Sequence, residues 1–211
     1  MSTISSPTKG PVSADSLWSI SPRPADRPQP YRFTVEQYEK MTELGIFTER
    51  DKVELIDGLV VSQMTKNRPH VVATQLVREA LSGLIPAGWH LGKEDPIRIP
   101  GRSEPEPDVT VIRGEPRDYI DKAPGVTDIA LLVEVAETSL DFDSTDKLRV
   151  YALAGVPVYW IVNLVDHRLE VCSEPDSGGY RARQLLTAGQ HVSVVIAGTE
   201  IGRIAVADLL P

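Results

Sequence analysis

The sequence predicts an α+β fold: a mixed β-sheet flanked by two main helices, with additional β-hairpins. Three observations carry that expectation. The run "IALLVEVA" is too apolar for a solvated edge and reads as a central strand covered on both faces. Helix-period segments, "PHVVATQLVREALSGLI" and "STDKLRVYALAG", separate the strand-like runs. Asp57-Gly58 sits between two short apolar runs and is a strong hairpin signal.

The elements follow in order. Residues 1–30, rich in Pro and Ser, read as a disordered or loosely attached tail with Trp18 as its candidate anchor, and 31–211 as a single domain. Thr34 is placed to cap a helix running to about Leu44, with Glu36 and Gln37 in its first turn. "DKVELI" and "LVVSQM" flank Asp57-Gly58 as a hairpin. The second helix carries Val71, Gln75, Arg78 and Ser82 along one side and Val72, Leu76, Ala80 and Leu84 along another. "DPIRIPG" and "PDVTVIRG" read as strands, and "DIALLVEVAE" as the central one. The helix "STDKLRVYALAG" stops at Gly155, with Pro157 beyond. "PVYWIVNL" and "RLEVCSE" pair around Val165-Asp166-His167, and the rest is a further β-ribbon with a short terminal turn.

Composition narrows the chemistry. Cys172 is the sole cysteine, so an internal disulfide is impossible and a reducing compartment, the cytoplasm, is the expected setting. No apolar run approaches the roughly 20 residues of a membrane span, and the N-terminus lacks a signal-peptide layout. A net charge of −8 opposes wholesale attraction to nucleic acid. There is no GxSxG, P-loop, GxGxxG or HExxH, and the four histidines are scattered. A glycosidase would need a sugar-stacking cleft, and Trp18, Trp89 and Trp160 are few.

What stands out is acid inside apolar strands. Glu134 shares a strand face with Leu132 and Ala136. Burying a lone carboxylate there costs several kcal/mol unless it is paired, hydrogen-bonded or bound to a cation. Asp108 opens the strand after Pro107, and Glu54 shares a hairpin face with Ile56. Lys147, with Tyr151 one turn on, lies on the helix that follows Glu134. Taken singly, Glu54 reads as a solvent-facing residue, Asp108 as a strand-end residue and Lys147 as a surface lysine. Taken together, carboxylates on adjacent strands with a lysine form a hard-oxygen site suited to Mg²⁺ or Mn²⁺.

The motifs "VELIDGLVV", "EPDVTVI" and "LLVEVAETSLDFDSTDKLRVYALAGVPVYWIVNL" resemble, in order and spacing, the Uma-type restriction endonuclease family of the PD-(D/E)XK nuclease superfamily. The resemblance runs from Tyr31 to the C-terminus. It implies a restriction-endonuclease-like core, with Asp108 and Glu134 as the first and second acidic positions and Glu54 as a further one. The lysine that the superfamily places two residues after Glu134 is here Ala136; the resemblance assigns that role to Lys147, within Asp143, Lys147, Tyr151, Ala152. It further implies a metal-dependent endonuclease in which Asp108, Glu134 and the Val135 carbonyl hold Mg²⁺ (or Mn²⁺), Glu54 completes the cluster and Lys147 positions water. His70, in a family-like "PH", is a candidate substrate contact. DNA is the expected substrate and a homodimer the expected assembly. Lys93, Arg98, Arg102, Arg113, Arg117 and Lys122 are candidates for a basic lip. The alternative is a catalytically inactive nuclease-fold module that binds DNA or another partner.

Overall fold

The computed structural model describes residues 29–48 and 50–211. The expected tail and Trp18 therefore lie almost wholly outside the described residues. Backbone contacts divide the chain into Met1–Pro30 and Tyr31–Pro211, and all the elements below belong to the second unit.

Helix α1 (Val35–Glu43) is opened by a capping box, in which Thr34 and Gln37 bond each other's main chain. Strands β1 (Val53–Ile56) and β2 (Leu59–Ser62) form the expected hairpin. Its two turn residues, Asp57 and Gly58, have φ of 46° and 78°, as a two-residue hairpin loop requires. Helix α2 (Arg68–Ser82) starts at Asn67, whose side chain accepts from the His70 amide.

A six-stranded sheet follows: β3 (Trp89–Gly92), β4 (Val109–Arg113), β5 (Ile129–Ala136), β6 (Val158–Asn163), β7 (Arg168–Asp176) and β8 (Gly179–Thr187), paired in that order. Only β5 and β6 are parallel, so the sheet is mixed. They are linked by helix α3, a continuous run of Leu140–Phe142, a π-helical turn over Asp143–Lys147, and Leu148–Ala154. Gly155 ends it at φ 83°, a left-handed cap. Strands β9 (His191–Ile196) and β10 (Thr199–Ala205) form a separate ribbon.

The central strand is buried along its whole length. On one sheet face Val133, Val135, Trp160 and Val162 pack with Ala73, Val77 and Leu81 of α2 and with the β9–β10 ribbon. On the other, Leu132, Ala136, Tyr159 and Ile161 pack with Val150 and Tyr151 of α3 and with Ile56 of the hairpin. A register shift between Val111 and Ile112 lets β5 change phase near its start, so that Glu134 falls on the α3 side with Leu132 and Ala136.

Three expectations about elements are corrected. "DPIRIPG" is not a strand; it makes only isolated bridges at Arg98 and Ile99, because Pro96 and Pro100 interrupt its donors. The edge strand is instead "WHLG", β3. In α2 the buried stripe is Ala73, Thr74, Val77 and Leu81, lying between the two sides expected from the sequence, and Val71 and Val72 are exposed. Among the described residues no helix is long and apolar enough to cross a membrane.

The hairpin that carries Glu54 is fastened at its turn. Gly58 donates to the Arg102 carbonyl at 2.6 Å and accepts from the Phe33 amide at 2.8 Å. A Cβ at Gly58 would lie 2.6 Å from Arg32 Cβ, in a backbone conformation L side chains rarely adopt. Gly58→Ala is therefore expected to lower the unfolding free energy by about 2 kcal/mol in urea titration. An unchanged midpoint would mean the turn is not seated against Arg32 and Phe33.

Candidate active site

Glu134 points from β5 at the underside of α3. The π turn there sets Asp143 and Lys147 inward, and Tyr151 one turn on is fully buried. Such a turn shifts the helix phase locally and is common at functional sites. Lys147 Nζ donates to Glu134 Oε1 at 2.9 Å and lies 3.1 Å from Glu54 Oε1. The Tyr151 hydroxyl donates to the same Glu134 oxygen at 2.9 Å. Glu54 is fixed in turn by the Glu106 amide, which donates to its Oε2 at 3.1 Å.

Asp108 stands just before β4. The β4–β5 pairing begins at Val109 and Val133, so the Val135 amide lies beyond it and donates to Asp108 Oδ2 at 2.8 Å instead. Lys66 Nζ donates to Asp108 Oδ1 at 2.9 Å and lies 3.2 Å from Glu94 Oε1. His70 Nε2 is 3.2 Å from Asp108 Oδ2. Glu54, Asp108 and Glu134 are each 4% exposed and Lys147 6%, whereas the Lys66 side chain is 28% exposed and rims the cluster.

The electrostatics follow from burial and from the ratio of signs. Burial pushes Glu134 up to about 8; the Lys147 ammonium opposes this, while the Asp143, Asp108 and Glu54 carboxylates add to it. Asp143 rises to about 6 for the same reasons. Burial acts against charge on Lys147 too, but Glu134, Glu54 and Asp143 outweigh it and hold the ammonium charged well above the usual range. Asp108 goes the other way. Its burial is overcome by the His70 bond and charge, by Lys66 and by the Val135 amide, which bring it down to about 2. Lys147 thus serves several buried carboxylates at once, and the cluster is short of positive charge near neutral pH.

The set suits a hard divalent cation in kind: buried carboxylate oxygens and excess negative charge. Glu134 Oε2 accepts no hydrogen bond among the described residues, since both donors converge on Oε1. No group of three or more His, Cys, Asp or Glu side chains is arranged as a ready metal cage among the described residues.

The structure brings Glu54, Glu134 and Lys147 into direct contact, and ties Asp108 to the strand of Glu134 through Val135. His70 is on Asp108. Lys66 and Glu94 were not singled out from sequence, and Asp143 was named only as part of the motif around Lys147. Lys66 lies in the loop before α2, and no sequence spacing marks it. Of the six residues of the basic lip, Arg98 pairs with Glu36 and Glu39 and Arg113 covers the Trp89 ring at 4.9 Å, while Lys93 pairs with Glu94 beside the cluster.

A mixed sheet crossed between its parallel pair by a helix, with buried carboxylates and a lysine at that crossing, is the arrangement of the restriction-endonuclease-like class. The chain matches the Uma2 family, described as "Putative restriction endonuclease", over residues 35–207, and it belongs to that family. Among solved structures it is similar to "a putative nuclease belonging to DUF820" from Anabaena variabilis, with a TM-score of 0.62 at 12% identity over 84% of this chain and 97% of that one. At that identity the likeness is one of fold. No curated protein matches the chain.

The raised carboxyl of Glu134 has a consequence for stability. A folded-state pKa above the unfolded value means the folded protein binds the extra proton more tightly. That contribution is complete below 4.5 and is lost as pH rises through about 8. Asp143, and Glu104, raised to about 7 mainly by burial, have the same sign. Asp108 is opposite, its contribution being lost only as pH falls from 3.8 through about 2. The cation-free protein is thus expected to gain stability as pH falls from about 8 to about 5. Glu134→Gln should flatten that slope and be at least as stable as wild type at the alkaline end. Urea midpoints across pH check this; a steep loss of stability in the variant would make Glu134 a structural anchor.

Proposed function

We propose that the protein is a Mg²⁺-dependent DNA endonuclease (Mn²⁺ substituting) that hydrolyses phosphodiester bonds, working in the cytoplasm as a homodimer. Membership of the family and the nuclease named in the similar structure support the substrate class. The observation that carries the chemistry is the buried Lys147 ammonium between Glu134 and Glu54, beside an Asp108 anchored on Val135.

Asp108, Glu134 and the Val135 carbonyl would hold the cation, with Glu54 completing the cluster. Bound there, the cation would polarise the phosphate and ease formation of hydroxide. The chain's own groups do the rest. Tyr151 fixes the rotamer of Glu134 by its bond to Oε1, leaving Oε2 for the cation. Lys147, as a charged donor at 2.9 Å from Glu134, orients the attacking water and offsets charge that develops on the phosphate. Lys66 and His70 approach Asp108 from the more open side and face an incoming phosphate. The alternative, a non-catalytic nuclease-fold module, draws on one observation: both Asp108 oxygens already have donors from the chain.

Removing one partner of a buried ion pair costs about 3–5 kcal/mol. Lys147→Ala should therefore be markedly destabilised in EDTA and partly rescued by Mn²⁺, which replaces the missing charge. The folded variant should cut DNA at least roughly 100-fold more slowly, while DNA affinity changes little, because the lysine acts mainly in the transition state. Equal cutting by Lys147→Ala would remove it from the mechanism.

A second test uses wild type across varied DNA substrates with Mg²⁺ and Mn²⁺. Cleavage lost in Glu134→Gln is the expected result. Neither cleavage nor cation binding in wild type would hand the site to the non-catalytic alternative.

A further inference from the structure

A cavity of about 480 Å³ opens beside edge strand β3, on the sheet face that also carries Glu134, and nothing above uses it. Ile112 and Pro96 line it, and His90 and Tyr119 contribute rings whose centroids are 5.9 Å apart. Both rings are held from behind. The Tyr119 hydroxyl donates to the Arg113 carbonyl at 2.8 Å. His90 Nδ1 is 2.8 Å from the Gly114 carbonyl, which can only accept. Nδ1 therefore carries a proton, and in that tautomer Nε2 is an acceptor.

Asp95 supplies a second acceptor. Its Oδ2 accepts from the Lys93 amide at 3.0 Å, and its Oδ1 has no partner among the described residues. The carboxylate lies over Gly92, where a Cβ would meet Asp95 Oδ2 at 2.9 Å and Ile112 Cδ1 at 2.8 Å, so only glycine leaves room for it. Lys122, exposed at the rim, has no ion pair among the described residues. The place thus offers a partly apolar recess with an aromatic wall and, among the described residues, two free acceptors and one free cation.

We propose that this cavity takes one unstacked base of the DNA strand, an amino-bearing base in preference to thymine, with a neighbouring phosphate on Lys122. The inference rests on DNA being the substrate. A cavity of this size holds a base readily, and bases stack on aromatic side chains whatever their sequence. Two acceptors in its lining match the exocyclic amine of cytosine, adenine or guanine; thymine meets them with one ring N–H and two carbonyls, which they repel. The cavity also adjoins the carboxylate cluster through the chain itself. Asp95 follows Glu94, whose φ of 56° turns the chain there, and Glu94 lies 3.2 Å from Lys66, which bonds Asp108. A strand with its phosphate near Asp108 would bring a neighbouring base to this slot.

The test is fluorescence anisotropy with labelled single-stranded oligo-dC and oligo-dT, two pyrimidines that differ in this amine, at low salt in EDTA so that nothing is cut. Oligo-dC should bind more tightly than oligo-dT, and Tyr119→Ala should weaken oligo-dC binding by roughly tenfold or more. Asp95→Asn, at an exposed position that leaves the fold intact, should erase the difference between the two. Lys122→Ala should weaken both alike. Equal affinity for dC and dT, untouched by Asp95→Asn, overturns the proposal, and if wild type still cleaves duplex DNA with Mn²⁺ it falls alone. Discrimination for dC without any cleavage would keep the base site and overturn the endonuclease reading instead.

Discussion

One buried ammonium holds the site together. Lys147 lies between Glu134 and Glu54, with Asp143 contributing its charge from a turn earlier. Each carboxylate sits on a different element: the central strand, the N-terminal hairpin, and the π turn of α3. Without a cation between them, the apolar surfaces of Ile56, Leu132, Ala136 and Tyr151 could meet only by forcing like charges together. The packing of hairpin and helix onto this sheet face therefore depends on the ion pair as much as on apolar area. The same dependence leaves the cluster short of positive charge, which gives a divalent cation a reason to bind.

The two ends of the cluster differ physically. At Lys147 the surroundings are buried, and the Glu134 and Asp143 carboxyls are pushed up. At Asp108 the Val135 amide, His70 and the partly exposed Lys66 hold the carboxylate ionised. An ionised carboxylate whose lysine partner reaches solvent, beside raised carboxyls around a buried lysine, is a polarised arrangement, with an open side for a phosphate and a closed side that fixes geometry. Tyr151 belongs to the closed side; burial and the Glu134 charge keep it a phenol, so it remains a donor.

Much of this was legible in the sequence, for reasons that can be stated. Glu134 stands out because seven apolar neighbours leave it no solvated interpretation. Asp57-Gly58 and Gly155 mark backbone positions that few other residues fill. The placement of Lys147 over Glu134 follows from a helix that must pack on the strand it succeeds. Other features were hidden. A π turn has no residue signature, so the start of α3 at Leu140 and the burial of Asp143 could not be read. The stripe on α2 was misplaced because Val71 and Val72 are apolar yet exposed at the head of the helix, whereas Thr74 is polar yet buried, its hydroxyl bonding the His70 carbonyl at 3.0 Å. Lys66 lies in a loop, and only the fold brings it to Asp108.

The central claim is that the cluster holds a proton near neutral pH which a divalent cation displaces. Titration of Mn²⁺ into wild-type protein by calorimetry, in buffers of different ionisation enthalpy near pH 7, measures that directly. Saturable binding that releases protons is the expected result, with the release strongly reduced in Glu134→Gln. Binding with no proton release, or no binding at all, would contradict it.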